Sequence, residues 1–97
     1  MTITMLEARV EKANWPALKQ AYRIRAERSE AGLVQSFLIQ DVKAVDEWRI
    51  ITIWSSEEAL KEMRRTVETP QGVLIFREAG AEPTLSIFNV IEQIKPD

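Results

Sequence analysis

The side chains that could move protons or hold charge in this chain form a restricted set of carboxylates, Tyr22, lysines and arginines, because its 97 residues include no histidine and no cysteine. Serine and cysteine triads need an imidazole base, and the commonest zinc sites and the usual haem axial ligand need imidazole or thiolate. None of that chemistry is open to it. The sequence also has no glycine-rich phosphate loop and no acidic run with the spacing of an oxygen cage, so no nucleotide, flavin or metal cofactor is expected. What the chain offers instead is wide aromatic surface, Trp48, Trp54 and Tyr22, in a small domain with 3 glycines. Rings of this kind either pack a core or line a pocket for another ring.

Two of them bound the most telling segment, Trp48-Arg49-Ile50-Ile51-Thr52-Ile53-Trp54, which alternates as a strand and runs directly into Ser55-Ser56-Glu57-Glu58. Trp48, Ile50, Thr52 and Trp54 fall on one face and Arg49, Ile51 and Ile53 on the other, so both faces carry bulky apolar groups. The spacing predicts one face against the chain's own helices, with Trp54 near the second helix and Phe76. The other face is predicted to meet a second copy. Either Ser55 with Glu58, as a capping box, or Ser56 with Glu57 and Glu58 at the positive end of the helix, starts that helix.

The remaining elements follow from period and punctuation. Ile3 to Val10 reads as a strand whose Glu7 and Arg9 share a side, and these two are expected to pair across a two-fold interface. Asn14 is the expected cap of a first helix that ends near Arg28 to Ala31, with Gly32 as its stop. Leu33 to Gln40 and Glu47 to Trp54 form a hairpin around a longer loop, Asp41 to Asp46. Leu60, Met63 and Val67 stripe the second helix, Thr69-Pro70-Gln71-Gly72 interrupts it, Val73 to Ala79 is a short helix, and Thr84 to Ile94 is the last strand. The order β-α-β-β-α-β predicts an α+β, ferredoxin-like domain spanning 1–97, with helices on one face of an antiparallel sheet.

Thirteen basic against fifteen acidic residues give a net charge of −2, without the positive field that nucleic acid or an anionic membrane surface requires. The N-terminus lacks a signal-peptide pattern and the composition lacks disulfides, so a cytoplasmic protein is expected.

Trp54-Ser55-Ser56-Glu57-Glu58-Ala59-Leu60 resembles the Trp-x-Ser/Asp-x-x-Ala-Leu junction of the antibiotic biosynthesis monooxygenase family. Leu6-Glu7-Ala8-Arg9-Val10 and Thr69-Pro70 resemble that family as well. The resemblance implies a dimeric α/β barrel. Its haem-degrading branch is similar at Trp54 but has an asparagine where this chain has Ala8 and a histidine where Arg64 lies in register. The cofactor-free branch that oxygenates anthrones resembles the chain in residue types, with Tyr22, Trp54, Asn89 and Arg64 supplying the Tyr, Trp, Asn and Arg of an aromatic pocket. In such a site Arg64 or Arg25 would stabilise an oxyanion, and Asn89 and Trp54 would donate hydrogen bonds to it. The resemblance therefore implies a homodimer that oxygenates a small aromatic or quinol-type compound without a cofactor. The alternatives are a non-catalytic or stress-associated barrel that binds a small apolar molecule, and a dimerisation module with a filled core. A cavity above about 300 Å³ lined by Trp48, Trp54 and Tyr22, and reached by Arg64 or Asn89, would distinguish a pocket from the filled core.

Overall fold

A computed structural model describes residues 1–26 and 31–96. Strand β1 (Thr2–Arg9) leads through a single 3-10 turn (Lys12–Asn14) into helix α1 (Trp15–Ala26). Strands β2 (Leu33–Gln40) and β3 (Glu47–Trp54) follow, then helices α2 (Glu57–Thr66) and α3 (Gln71–Glu78), and finally strand β4 (Thr84–Asn89). The sheet runs β2-β3-β1-β4 and every pairing is antiparallel. This is the ferredoxin-like α+β arrangement that the element order predicts.

Local chemistry explains most boundaries. The Asp41 carboxylate accepts from the backbone N–H groups of Lys43 and Ala44, each at 2.8 Å, and so shapes the hairpin loop. Ser56 caps α2, its hydroxyl accepting from Ala59 N at 3.1 Å, which decides between the two serines of the junction. Helix α3 begins two residues earlier than Val73, directly after Pro70, whose φ of −57° suits a helix start. It ends where Gly80 N donates to Arg77 O and Ala81 N to Phe76 O, each at 3.0 Å, with Gly80 at φ +74°, the left-handed residue such a stop requires.

Asn14 directly precedes Trp15, the first residue of α1, where the sequence places it, and it also closes the 3-10 turn, its N–H bonded to Glu11 O at 2.8 Å. One strand boundary differs from the sequence reading. Strand β4 stops at Asn89 and does not reach Ile94, because its partner β1 runs out. Thr2 pairs with Asn89, Val90 N reaches Met1 O at 2.9 Å, and no further strand is offered beyond them. The expected end of α1 near Arg28 falls outside the described residues.

The buried face of the sheet carries two separate clusters. At one end Trp48, Leu6, Ala8, Val10 and Ile50 pack beneath Leu18 and Ala21 of α1, Ile75 and Phe76 of α3, and Ala79 just after it. At the other end Trp54 packs with Leu60 and Met63 of α2. The opposite face of the sheet has no helix on it among the described residues. Phe37 and Phe88 stand 41% and 51% exposed there, beside the half-buried Ile3, Met5, Ile51 and Ile53. Glu7 on this face accepts from Arg49 Nε at 2.6 Å within the same chain. The two are direct cross-strand partners, so the pair forms without the second copy that the Glu7–Arg9 expectation invoked. Arg9 instead lies near Glu47 and Asp46.

Candidate functional site

The end of β3 and the start of α2 place Trp54 where two core clusters fail to meet. Trp54 is buried, and its indole Nε1 donates to Thr4 Oγ1 at 3.0 Å on the neighbouring strand. Thr4 is the register partner of Thr52, and Thr52 of Ser36, so the three residues form a transverse row of hydroxyls across β1, β3 and β2. Tyr22 of α1 donates to Ser36 Oγ at 3.1 Å, and Ser36 Oγ lies 3.5 Å from Thr52 Oγ1. One element of each layer thus fixes each end of the row.

Above this row is a partly open cavity of about 120 Å³. Its floor is Thr4, Thr52, Ser36, Leu6, Ile50 and Trp54, and its roof is Leu60 and Met63 of α2 with Gly72, Val73 and Ile75 of α3. Tyr22, Arg25, Arg64, Pro70, Gln71, Leu33 and Leu85 complete the rim. Gly72 lets α3 sit low over the Leu6 side chain. A Cβ there would come within 2.5 Å of Leu6 Cδ1.

The electrostatics are one-sided. Among the described residues no carboxylate lines the cavity, and two guanidiniums do. Arg25 is already committed, donating to both Glu78 oxygens at 3.2 and 2.8 Å and to Gln71 Oε1 at 3.1 Å, and so it ties α1 to α3. That hydrogen bond to Glu78 raises the Arg25 pKa, and the same bond holds the Glu78 carboxyl below its ordinary value. Arg64 makes no ion pair among the described residues.

Of the residues singled out from sequence, the structure brings Trp54, Tyr22 and Arg64 to the cavity, together with Arg25. Trp48, Phe76 and Asn89 do not line it. Trp48 shares the helix-facing side of β3 with Trp54, yet α1 and α3 cover it completely, and its ring meets Trp15 edge-on at 5.6 Å. Phe76 is fully buried in the same cluster. Asn89 accepts from Thr2 Oγ1 at 2.9 Å at the last residue of the edge strand. Thr4 and Ser36 were not singled out at all. Thr52 was placed on the right face without a role.

The sequence model of the family described as antibiotic biosynthesis monooxygenase matches residues 1–71. The chain belongs to this family. Among solved structures, a candidate antibiotic biosynthesis monooxygenase from Deinococcus radiodurans superposes with a TM-score of 0.77 at 15% identity, covering 100% of this chain and 99% of that one. SnoaB, a cofactor-independent oxygenase from Streptomyces nogalater, gives 0.71 at 15% identity over 99% of this chain and 97% of its own. The haem-degrader MhuD from Mycobacterium tuberculosis, solved with two haems in its active site, gives 0.70 at 21% identity over 98% and 100%. At these identities the likeness is one of fold. A comparison of the sequence with curated proteins returns no significant match.

Members of the antibiotic biosynthesis monooxygenase fold therefore include a haem binder, and the residues of this cavity do not suit haem. The chain has no imidazole or thiolate to serve as axial ligand. The Tyr22 hydroxyl is spent on Ser36, and 120 Å³ is far too little for a porphyrin.

Proposed function

We propose that this family member is a homodimer whose cavity holds a small aromatic or quinol-type compound and oxygenates it without a cofactor. The observation that carries the reading is the apolar cavity itself, walled by Trp54 and edged by Tyr22 and Arg64. At about 120 Å³ and without Trp48 in its lining, it falls short of the ~300 Å³ cavity that would set a pocket apart from a filled core, so the size favours the filled core, and what supports a pocket is the opening lined by Trp54, Tyr22 and Arg64. In cofactor-free chemistry of this kind the substrate's own phenolic proton is lost, and the resulting anion is electron-rich enough to reduce dioxygen directly. The protein orients the ring and stabilises the anion. Arg64 at the rim supplies the cationic part. The donor part does not fall to Trp54, whose N–H is held by Thr4, or to Asn89, which is remote.

A second reading, a binding protein without turnover, is favoured by one specific observation. The chain has no histidine and, among the described residues, no carboxylate lines the cavity, so no described side chain offers a general base beside the ring. Oxygen uptake with a panel of phenols, quinols, hydroxyquinolines and anthrones separates the readings. Turnover of at least one compound by the purified protein is expected. Saturable binding across the panel with uptake at the buffer rate would leave the binder.

The dimer rests on the uncovered sheet face, since burying side chains such as Ile51 or Phe37 is worth about 1.5–3 kcal/mol each. Ultracentrifugation at micromolar concentration is expected to show two chains per particle, and Ile51→Glu to split or unfold it. Purely monomeric wild-type protein would remove this part of the reading. No helix among the described residues is long and apolar enough to cross a membrane. The near-neutral charge and absent cysteines support a cytoplasmic protein without nucleic-acid or membrane partners.

A further inference from the structure

The cavity floor carries hydroxyl groups whose own protons are only partly committed within the chain. Thr4 and Thr52 are each only 9% exposed, in a seam where the sheet's apolar core is interrupted. Thr4 Oγ1 receives the Trp54 N–H, and its own proton has no acceptor among the described residues. Tyr22 donates to Ser36, and Ser36 Oγ lies 3.5 Å from Thr52 Oγ1, a long contact in which either oxygen can be the donor, so with Ser36 donating the Thr52 proton is free to turn to a ligand. Two buried O–H donors therefore stand side by side on adjacent strands. Directly paired Cβ atoms lie about 4.5–5.5 Å apart, so a single oxygen can take a hydrogen bond from both at the usual ~2.7–2.8 Å. With no carboxylate in the lining among the described residues and Arg64 at the rim, the seam suits an acceptor, and a negatively charged one most of all.

Size narrows the ligand further. A cavity of about 120 Å³ is slightly smaller than the ~150 Å³ apolar cavity that accommodates benzene. We propose that Thr4 and Thr52 are the specificity-determining residues of this site, and that together they receive the phenolate oxygen of a single-ring aromatic compound. Two- and three-ring compounds are excluded by the Leu60, Met63 and Ile75 roof. This assignment rests on the pocket reading above and adds to it the oxygen's position and the ring count.

The test uses 4-nitrophenol, toluene and anthrone as probes of the full-length protein, read by indole fluorescence and, for 4-nitrophenol, by its phenolate absorbance. Wild-type protein is expected to bind toluene and 4-nitrophenol, to lower the apparent pKa of bound 4-nitrophenol, and to exclude anthrone. Thr52→Val and Thr4→Val preserve shape and delete one donor each, and each is expected to weaken 4-nitrophenol about tenfold, the size of one hydrogen bond to a charged group. Toluene binding should not change, and Thr4→Ser should restore the phenolate shift. Thr52→Val carries the test alone if loss of the Trp54 acceptor unfolds Thr4→Val. Toluene and 4-nitrophenol binding equally well to wild type and to the valine variants would overturn the assignment while leaving the pocket in place. Preference for anthrone would overturn the size limit. Failure of wild-type protein to bind either small probe would overturn the pocket reading along with this one.

Discussion

Trp48 and Trp54 lie on one strand and one face, six residues apart, and their surroundings differ in kind. Trp48 is enclosed by α1 and α3 together, with Leu18 and Phe76 fully buried around it. Trp54 meets only α2, and the space between the two clusters is the cavity with its hydroxyl row. Two helices that pack against each other can close over a sheet, whereas a single helix standing apart leaves a seam. The cavity in this small fold is therefore placed by the docking of α2 relative to α1 and α3, and less by which strand carries the aromatics.

The comparison breaks most visibly at Phe76. Its removal from a filled region should cost about 3–5 kcal/mol, measured by chemical denaturation, while the ring probes bind as before. Loss of probe binding in a folded Phe76→Ala protein would show that the two regions are one. Trp54→Ala should be milder, at about 2 kcal/mol, because one side of the ring already faces a void and has few contacts to lose. It should also abolish the fluorescence response and admit two-ring compounds such as 1-naphthol. A loss as large as that of Phe76→Ala with unchanged probe affinity would make Trp54 a core residue.

The difference between these tryptophans was only half legible in the sequence. Period two places both on the helix-facing side, and the Ser56 cap with its acidic first turn announces α2, because capping and alternation are local. Which end of the face stays open is decided by tertiary docking, including the close approach at Gly72, and no pattern along the chain reports it. The hydroxyl row shows the same boundary. The hairpin register could have paired Ser36 with Thr52, but Thr4 joins them only through the non-local pairing of β1 with β3. Asn89 was misleading for the converse reason. Its residue type suits an oxyanion, yet an edge-strand terminus places it against Thr2.

The two helices that close over Trp48 are also tied by a salt link, Arg25 of α1 to Glu78 of α3, at the cavity rim. Hydrogen bonding to Arg25 depresses the Glu78 pKa, so this pair stabilises the fold above the carboxylate's unfolded pKa of about 4.3 and loses that contribution as pH falls through the lower, folded value. Acid titration followed by circular dichroism should therefore show Glu78→Gln less stable than wild type at neutral pH and closer to it in acid. A constant gap at all pH values would mean that the link contributes through packing alone.

The smallest effect is expected at Arg64, and it sharpens the comparison because it separates binding from stability. Arg64 is exposed on the last turn of α2 and has no ion pair among the described residues, so Arg64→Gln should alter stability by no more than about 0.5 kcal/mol, part of it the lost interaction with the helix dipole. Its charge nevertheless stands at the mouth of a cavity with no carboxylate among the described residues that line it. Binding of 4-nitrophenol as the phenolate should weaken a few-fold, about what an exposed charge contributes, and toluene should be unaffected. Raising the salt concentration should erase the difference between wild type and variant, because an exposed charge is screened over about 10 Å at 0.1 M. A loss of phenolate affinity that persists in high salt would place Arg64 in direct, desolvated contact with the ligand oxygen, competing with Thr4 and Thr52 for it. No loss at all would leave the hydroxyl row as the sole reader of the anion.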